Sequence, residues 1–188
     1  MNWRWIPNAI CLVRIVLVVP IVLQLLAGNY AVALALILLA GASDGLDGFL
    51  AKTFNWRTRI GGLLDPIADK LLMTAVFLTL TKLGLVPIGV TAIVLLRDVV
   101  IVLGAIAYQL FVEPVRGRPT LISKLNTACQ LCFVVFVITH SGFAWPPEVS
   151  LLVLGAAVVF TSIVSGLNYV LHWSRLALRA KQNTHMVV

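Results

Sequence analysis

Six predominantly apolar stretches, each of eighteen residues or more, take up most of this chain: Ala9 to Leu26, Tyr30 to Leu50, Asp65 to Leu83, Pro87 to Phe111, Leu121 to Thr139 and Val149 to Trp173. A helix needs about 20 apolar residues to cross the hydrocarbon core of a bilayer. The pattern therefore predicts an all-α integral membrane protein with six transmembrane helices. With 61% hydrophobic and 11% charged residues, the chain lies outside the range of soluble globular domains. The 188 residues leave no room for a soluble domain, so one membrane domain over 1–188 is expected. Gly28-Asn29, a basic stretch from Lys52 to Gly61, Gly84 to Pro87, a linker from Glu113 to Pro119, and Ser141 to Glu148 with Pro146-Pro147 separate the segments, and all are turn or breaker signals.

The basic residues orient these segments. Arg4, then Lys52, Arg57 and Arg59, then Arg116 and Arg118, then Arg175, Arg179 and Lys181 occupy alternate connections and both tails, while the opposite connections hold only Lys82. By the positive-inside rule, both termini are expected at the cytoplasmic side. Apolar sequence runs on from Arg4 through Arg14 without a small-residue cleavage site, so the first segment is read as a membrane helix and not a removable signal. With no Arg/Ser-rich leader ahead of it, the expected location is a prokaryotic cytoplasmic (inner) membrane.

Only seven residues are acidic, and Asp44, Asp47, Asp65 and Asp69 fall close together beside apolar stretches. Carboxylates near hydrocarbon are costly to desolvate, so a membrane chain that clusters them holds a cation, moves protons or does chemistry. Asp44 and Asp47 are three apart at the end of the second helix, and Asp65 and Asp69 four apart at the start of the third, so each pair shares one helical face. The short connection lets the two pairs converge. Converging carboxylates repel one another unless positive charge sits among them. All-oxygen ligation suits Mg²⁺ or Mn²⁺, and two such ions about 3.5–4 Å apart clamp phosphoryl groups during in-line displacement.

The neighbouring residues fit phosphoryl chemistry. Gly48 and Ala51 continue the Asp44 face without side-chain bulk, and Gly61 and Gly62 do the same at the entrance to the third helix, although small residues also serve helix packing. Lys52, Arg57 and Arg59 add positive charge suited to a diphosphate, or simply the charge of an inside-facing loop. Pro66 after Asp65 is expected in the first turn of the third helix.

Arg14, Lys70, Arg97 and Lys124 lie inside or at the ends of the predicted spans. Snorkelling to the headgroups accounts for each singly, and an ion pair with Asp98 for Arg97. All four are nevertheless expected at the depth of the aspartates, which points to a shared polar cavity. The Cys129–Cys132 pair lacks the partner ligands of a zinc site and is read, with Cys11, as packing. Trp3, Trp5, Trp145 and Trp173 read as interfacial anchors, and His140, His172 and His185 as surface or interface residues.

Asp44-x-x-Asp47-Gly48-x-x-Ala51-Lys52, eight residues, Gly61, three residues, Asp65, three residues, Asp69 closely resembles the signature of the CDP-alcohol phosphatidyltransferase family. The family pattern has arginine where this chain has Lys52, a point charge in place of a bidentate fork. The resemblance extends over nearly the whole chain. Ile6-Pro7-Asn8 followed by Arg14 is similar to the family's amino-terminal segment, with Asn8 and Arg14 in possible supporting roles, and Asp65 to Lys70 resembles the phosphatidylglycerophosphate synthases and CMP-forming cardiolipin synthases within it. Pro119 to Ala128 is similar to the fifth-helix start of cardiolipin synthases in particular.

The resemblance implies a phosphatidyltransferase of phospholipid biosynthesis that uses CDP-diacylglycerol, with Asp44, Asp47, Gly48, Ala51, Lys52 and Gly61 around the cytidine diphosphate. Asp44, Asp47, Asp65 and Asp69 would hold two Mg²⁺ or Mn²⁺ ions, and Asp69 would also be the base that takes the acceptor's proton. A single displacement releases CMP. Arg97, Ser123, Lys124 and Asn126 are the candidate acceptor ligands. Relatives that use glycerol phosphate resemble one another in a second arginine eight residues after the position of Arg97; here that position is Ala105. The missing ligand favours phosphatidylglycerol, giving cardiolipin, over glycerol 3-phosphate. A homodimer is implied by the resemblance, and no nucleic-acid partner is expected. Two further readings remain: a divalent-cation transporter using the same carboxylates, which should carry polar residues near the bilayer midplane and often related halves, and a non-catalytic scaffold, which leaves the aspartates unexplained.

Overall fold

The computed structural model describes the backbone of residues 6–53, 61–111 and 121–185, and the side chains of 9–43, 53, 67–104 and 121–171. Among the described residues there are six helices: α1 (Ile6–Leu26), α2 (Tyr30–Thr53), α3 (Gly61–Lys82), α4 (Ile88–Phe111), α5 (Leu121–Phe143) and α6 (Glu148–His185). By length and composition, the apolar segments Ala9–Leu26, Leu121–Phe143 and Glu148–Leu171 could each cross a membrane, and α2 contributes a shorter apolar run, Tyr30–Ser43.

Glycine sets two of the helix ends. Gly28 and Gly84 adopt φ of 76° and 74°, a left-handed conformation that side chains with a Cβ resist. The Gly28 N–H bonds Leu25 O and the Asn29 N–H bonds Gln24 O; the Gly84 N–H bonds Thr81 O and the Leu85 N–H bonds Leu80 O. These paired bonds cap α1 and α3 in the Schellman manner, and the chain reverses within a few residues. Both glycines were expected breakers.

Two other boundaries correct the sequence expectation. The third helix begins at Gly61 and not Asp65, so Pro66 is its sixth residue and does not sit in its first turn. A proline this near a helix start forfeits a single backbone bond, and Gly61 and Gly62 do not prevent one more turn from forming ahead of it. The sixth helix continues past Trp173 to His185, 38 residues in all, about 57 Å at 1.5 Å per residue. The basic tail is therefore helical, since Arg, Lys, Leu and Ala are good helix formers. Helix α1 likewise passes through Pro20 without ending.

The chain divides into two compact units, one of residues 1–87 with 134–148 and the other of 88–133 with 149–188. In the first unit α1 packs against both α2 and α3. The buried stripe of α1 is Cys11, Arg14, Val18, Ile21 and Leu25, a 3-4-3-4 spacing, while Leu12, Val16, Val19 and Leu23 are exposed. Small Ala33 and Ala40 on α2 let a neighbouring helix approach closely. Gly142 at the end of α5 does the same for Tyr30, whose Cβ would lie 3.0 Å from a Cβ placed there. Gly142→Ala should therefore lower stability in detergent, by about 1–3 kcal/mol for overpacking. Gly41→Ala, with nothing within 4 Å, should be neutral or better. Thermal unfolding of the two variants checks the pair.

The second unit buries a different kind of surface. Thr91 and Arg97 of α4, Asn126 and Gln130 of α5, and Thr161, Ser162 and Ser165 of α6 are all buried there. Among the described residues of the first unit, the buried polar side chains are Arg14 and Thr79.

Candidate active site

In the first unit the residue that stands out is Arg14. It lies on the inward stripe of α1 with its side chain 1% exposed, and Nη1 donates to Asp69 Oδ1 of α3 at 2.7 Å. Snorkelling therefore does not describe Arg14. A buried guanidinium needs a counter-charge, and α3 supplies it from the last aspartate of the signature. The Asp69 side chain is itself 49% exposed, so one flank of the carboxylate is held by arginine while much of it stays open.

Helices α2 and α3 are continuous through the remaining signature positions, so Asp44 and Asp47 stand three apart on one helix and Asp65 and Asp69 four apart on the next, as the spacing predicts. The side chains of Asn8, Asp44, Asp47, Gly48, Ala51, Lys52, Gly61 and Asp65 lie outside the described residues, as do Arg57 and Arg59. The one described member of the donor set, Asp69, offers a half-exposed carboxylate, the type of oxygen ligand that Mg²⁺ or Mn²⁺ takes.

In the second unit, three of the four expected acceptor ligands belong to one polar seam. Arg97 is 6% exposed. Its Nη2 donates to Ser123 Oγ at 2.7 Å and to Ser165 Oγ at 2.9 Å, Nε donates to Ser165 Oγ at 3.3 Å, and Nη1 donates to Asp98 at 2.7 Å. The Arg97–Asp98 ion pair is thus present. A guanidinium has five N–H groups, and these bonds engage four, so an incoming phosphate meets one spare donor and a charge already offset by a carboxylate. Asn126 lies one turn beyond Ser123, its Oδ1 accepting from Thr161 at 2.8 Å and Ser162 at 2.9 Å. Lys124 is exposed and stands apart from this seam.

Gln130, Thr161, Ser162 and Ser165 escaped sequence reasoning. The signal was there: Thr161, Ser162 and Ser165 recur at helical spacing inside an apolar segment, and Gln130 follows Asn126 by four. Hydroxyls bond readily to their own helix backbone, which makes them inconspicuous in sequence.

A helical membrane protein with carboxylates at this spacing on two consecutive helices, one of them held by a buried arginine, has the make-up of a membrane-embedded phosphotransfer enzyme. The family model for CDP-alcohol phosphatidyltransferase matches residues 4–173. The chain is similar to proteins described as cardiolipin synthase (CMP-forming) from Rattus norvegicus and Homo sapiens, at 32% and 31% identity over 186 residues, covering 90% of this chain and 61% and 62% of theirs. It thus spans about three fifths of the length of those relatives. It is also similar to a Mycobacterium tuberculosis protein described as a probable phosphatidylglycerophosphate synthase, at 32% identity over 171 residues, covering 87% of this chain and 78% of the other. The chain belongs to the CDP-alcohol phosphatidyltransferase family.

Proposed function

We propose that the protein transfers the phosphatidyl group of CDP-diacylglycerol to phosphatidylglycerol, giving cardiolipin and CMP. The observation that carries this choice is the state of Arg97. With Asp98 offsetting its charge and serines taking three of its bonds, it offers little to a small dianion such as glycerol 3-phosphate. A phosphodiester carries one negative charge and brings its own membrane anchor, so it needs less polar grip.

Asp44, Asp47, Asp65 and Asp69 would hold one or two Mg²⁺ or Mn²⁺ ions, which neutralise charge on the diphosphate and sharpen the electrophilicity of its phosphorus. Asp69 takes the proton of the acceptor hydroxyl, the freed oxygen attacks the lipid-side phosphorus, the phosphorus–oxygen bond to CMP breaks, and CMP leaves with that electron pair. Arg14 Nη1 donates to Asp69 Oδ1 and so fixes the direction in which the half-exposed carboxylate points. Gly48, Ala51, Lys52 and Gly61 surround the cytidine diphosphate, while Arg97, Ser123, Lys124 and Asn126 receive the acceptor. The six helices all span, both termini and the reaction lie at the cytoplasmic side of a prokaryotic inner membrane, and the working form is a homodimer.

Glycerol 3-phosphate is the second reading, favoured by the Mycobacterium tuberculosis relative, more of whose length is matched. Purified protein with divalent metal, CDP-diacylglycerol and either acceptor, with the lipid product read by mass, decides between them. The expected result is cardiolipin from phosphatidylglycerol and loss of CMP release on chelation. Product from glycerol 3-phosphate alone would reverse the acceptor choice.

A further inference from the structure

An arginine side chain donates hydrogen bonds and accepts none, so the direction of every bond around Arg97 is known. Ser165 Oγ therefore accepts, from Nη2 at 2.9 Å and from Nε at 3.3 Å. Those two nitrogens form one edge of the guanidinium plane. Ser123 Oγ takes a further hydrogen of Nη2 at 2.7 Å, and Asp98 Oδ1 takes one from Nη1 at 2.7 Å. Nε carries one hydrogen and each Nη carries two, so the donor left over is on Nη1. An anion that reaches Arg97 meets that nitrogen, beside Asp98.

Ser165 belongs to α6 and Arg97 to α4, so the Nε–Nη2 edge is held across a helix pair. Ser165 is 0% exposed. The next residue of α6, Gly166, faces the stem of the same arginine: a carbon placed at its Cβ position would lie 3.8 Å from Arg97 Cγ. Helix α6 thus sets glycine against the stem and serine against the head. Beside Arg97 runs a crevice of about 220 Å³, walled by hydrocarbon from Leu96, Val100, Ile163 and Leu167. A long side chain next to open space has other rotamers to occupy, and fixing it in one of them costs entropy. The bonds to Ser165 select the rotamer.

We propose that Ser165 is a positioning residue for the acceptor: by holding the Nε–Nη2 edge it fixes the direction of Arg97 Nη1, the nitrogen left for the acceptor's phosphate. This rests on the reading that Arg97 receives the acceptor, whichever alcohol that is. The Ser165 hydroxyl touches no substrate and acts through Arg97.

Ser165→Ala removes the oxygen, fits the space and favours helix, so the variant should assemble. With CDP-diacylglycerol and phosphatidylglycerol as substrates, its KM for the acceptor should rise about fivefold to tenfold, the worth of a lost hydrogen bond. KM for the donor and kcat should change by less than about twofold, because the grip on the acceptor is the same before and during the chemical step. Arg97→Met should raise the acceptor KM at least as much, and Ser165→Ala should add nothing in that background. Should Arg97→Met fail to assemble, Arg97→Lys, which keeps a charge beside Asp98 but lacks the Nε–Nη2 edge, takes its place in the cycle. Equal rises in both KM values, or a lower unfolding temperature with neither KM moved, would make Ser165 a packing residue and overturn the proposal. Additive rises in the double variant would overturn it as well, since the hydroxyl would then not act through Arg97. An unchanged acceptor KM in Arg97→Met would defeat the reading that Arg97 receives the acceptor, and this proposal with it. The same split and the same non-additivity with glycerol 3-phosphate as the only acceptor used would sustain the role of Ser165 while reversing the acceptor choice.

Discussion

Asp69→Asn should reduce CMP release by about 10²- to 10⁴-fold, the range lost when a positioned general base is removed, while lowering thermal stability less than Asp69→Ala does. Asparagine keeps the size of aspartate and one carbonyl-type oxygen, so Arg14 Nη1 still finds an acceptor where Asp69 Oδ1 now lies at 2.7 Å. What disappears is the negative charge, and with it the ability to take a proton or ligate a cation strongly. Asp69→Ala should be no more active but less stable, because it also removes the acceptor of the 2.7 Å bond from the buried guanidinium. Separating the two variants by unfolding temperature shows which part of the loss is chemical. If Asp69→Asn kept more than a tenth of wild-type turnover, Asp69 would be neither base nor essential ligand, and the role would pass to another signature aspartate.

How far this was legible in sequence differs from element to element. Carboxylates three and four apart can be read directly because helical spacing is a property of the backbone, and α2 and α3 are indeed continuous through those positions. Gly28 and Gly84 were legible for the same kind of reason: a left-handed residue at a helix end calls for glycine. The start of α3 was not, since Asp65-Pro66 looks like a helix entrance and only the surrounding backbone shows that helix precedes it. Arg14 was ambiguous because a long cationic side chain can turn outward to headgroups or inward to a counter-ion, and the choice depends on which face of α1 meets α3. Apolar residues cover both faces of α1, so hydrophobic patterning carries no record of that face. The seam of Gln130, Thr161, Ser162 and Ser165 was hidden for a related reason. A serine or threonine in an apolar helix can satisfy itself locally, and its burial with Asn126 and Arg97 is a fact of packing.

Arg14→Leu should be the most damaging change on α1, lowering both activity and stability although Arg14 lies outside the signature. Leucine fits the apolar stripe of Cys11, Val18 and Ile21, so the variant should assemble. Losing one partner of a fully buried pair typically costs about 3–5 kcal/mol, but Asp69 is 49% exposed and water takes up part of the uncompensated charge. A loss of about 1–3 kcal/mol is therefore expected. Activity should fall further than stability alone would explain, by a factor on the order of 10², because a carboxylate freed from its anchor no longer points one oxygen at the acceptor hydroxyl. Arg14→Lys should recover part of both, since ammonium keeps the charge but not the planar fork. The decisive comparison is a double-mutant cycle with Asp69→Leu: the two stability losses should be strongly non-additive, and the double variant should stay inactive. Additive losses would mean that the 2.7 Å contact contributes nothing to the fold. Wild-type turnover in Arg14→Leu would mean that Asp69 needs no arginine to hold it.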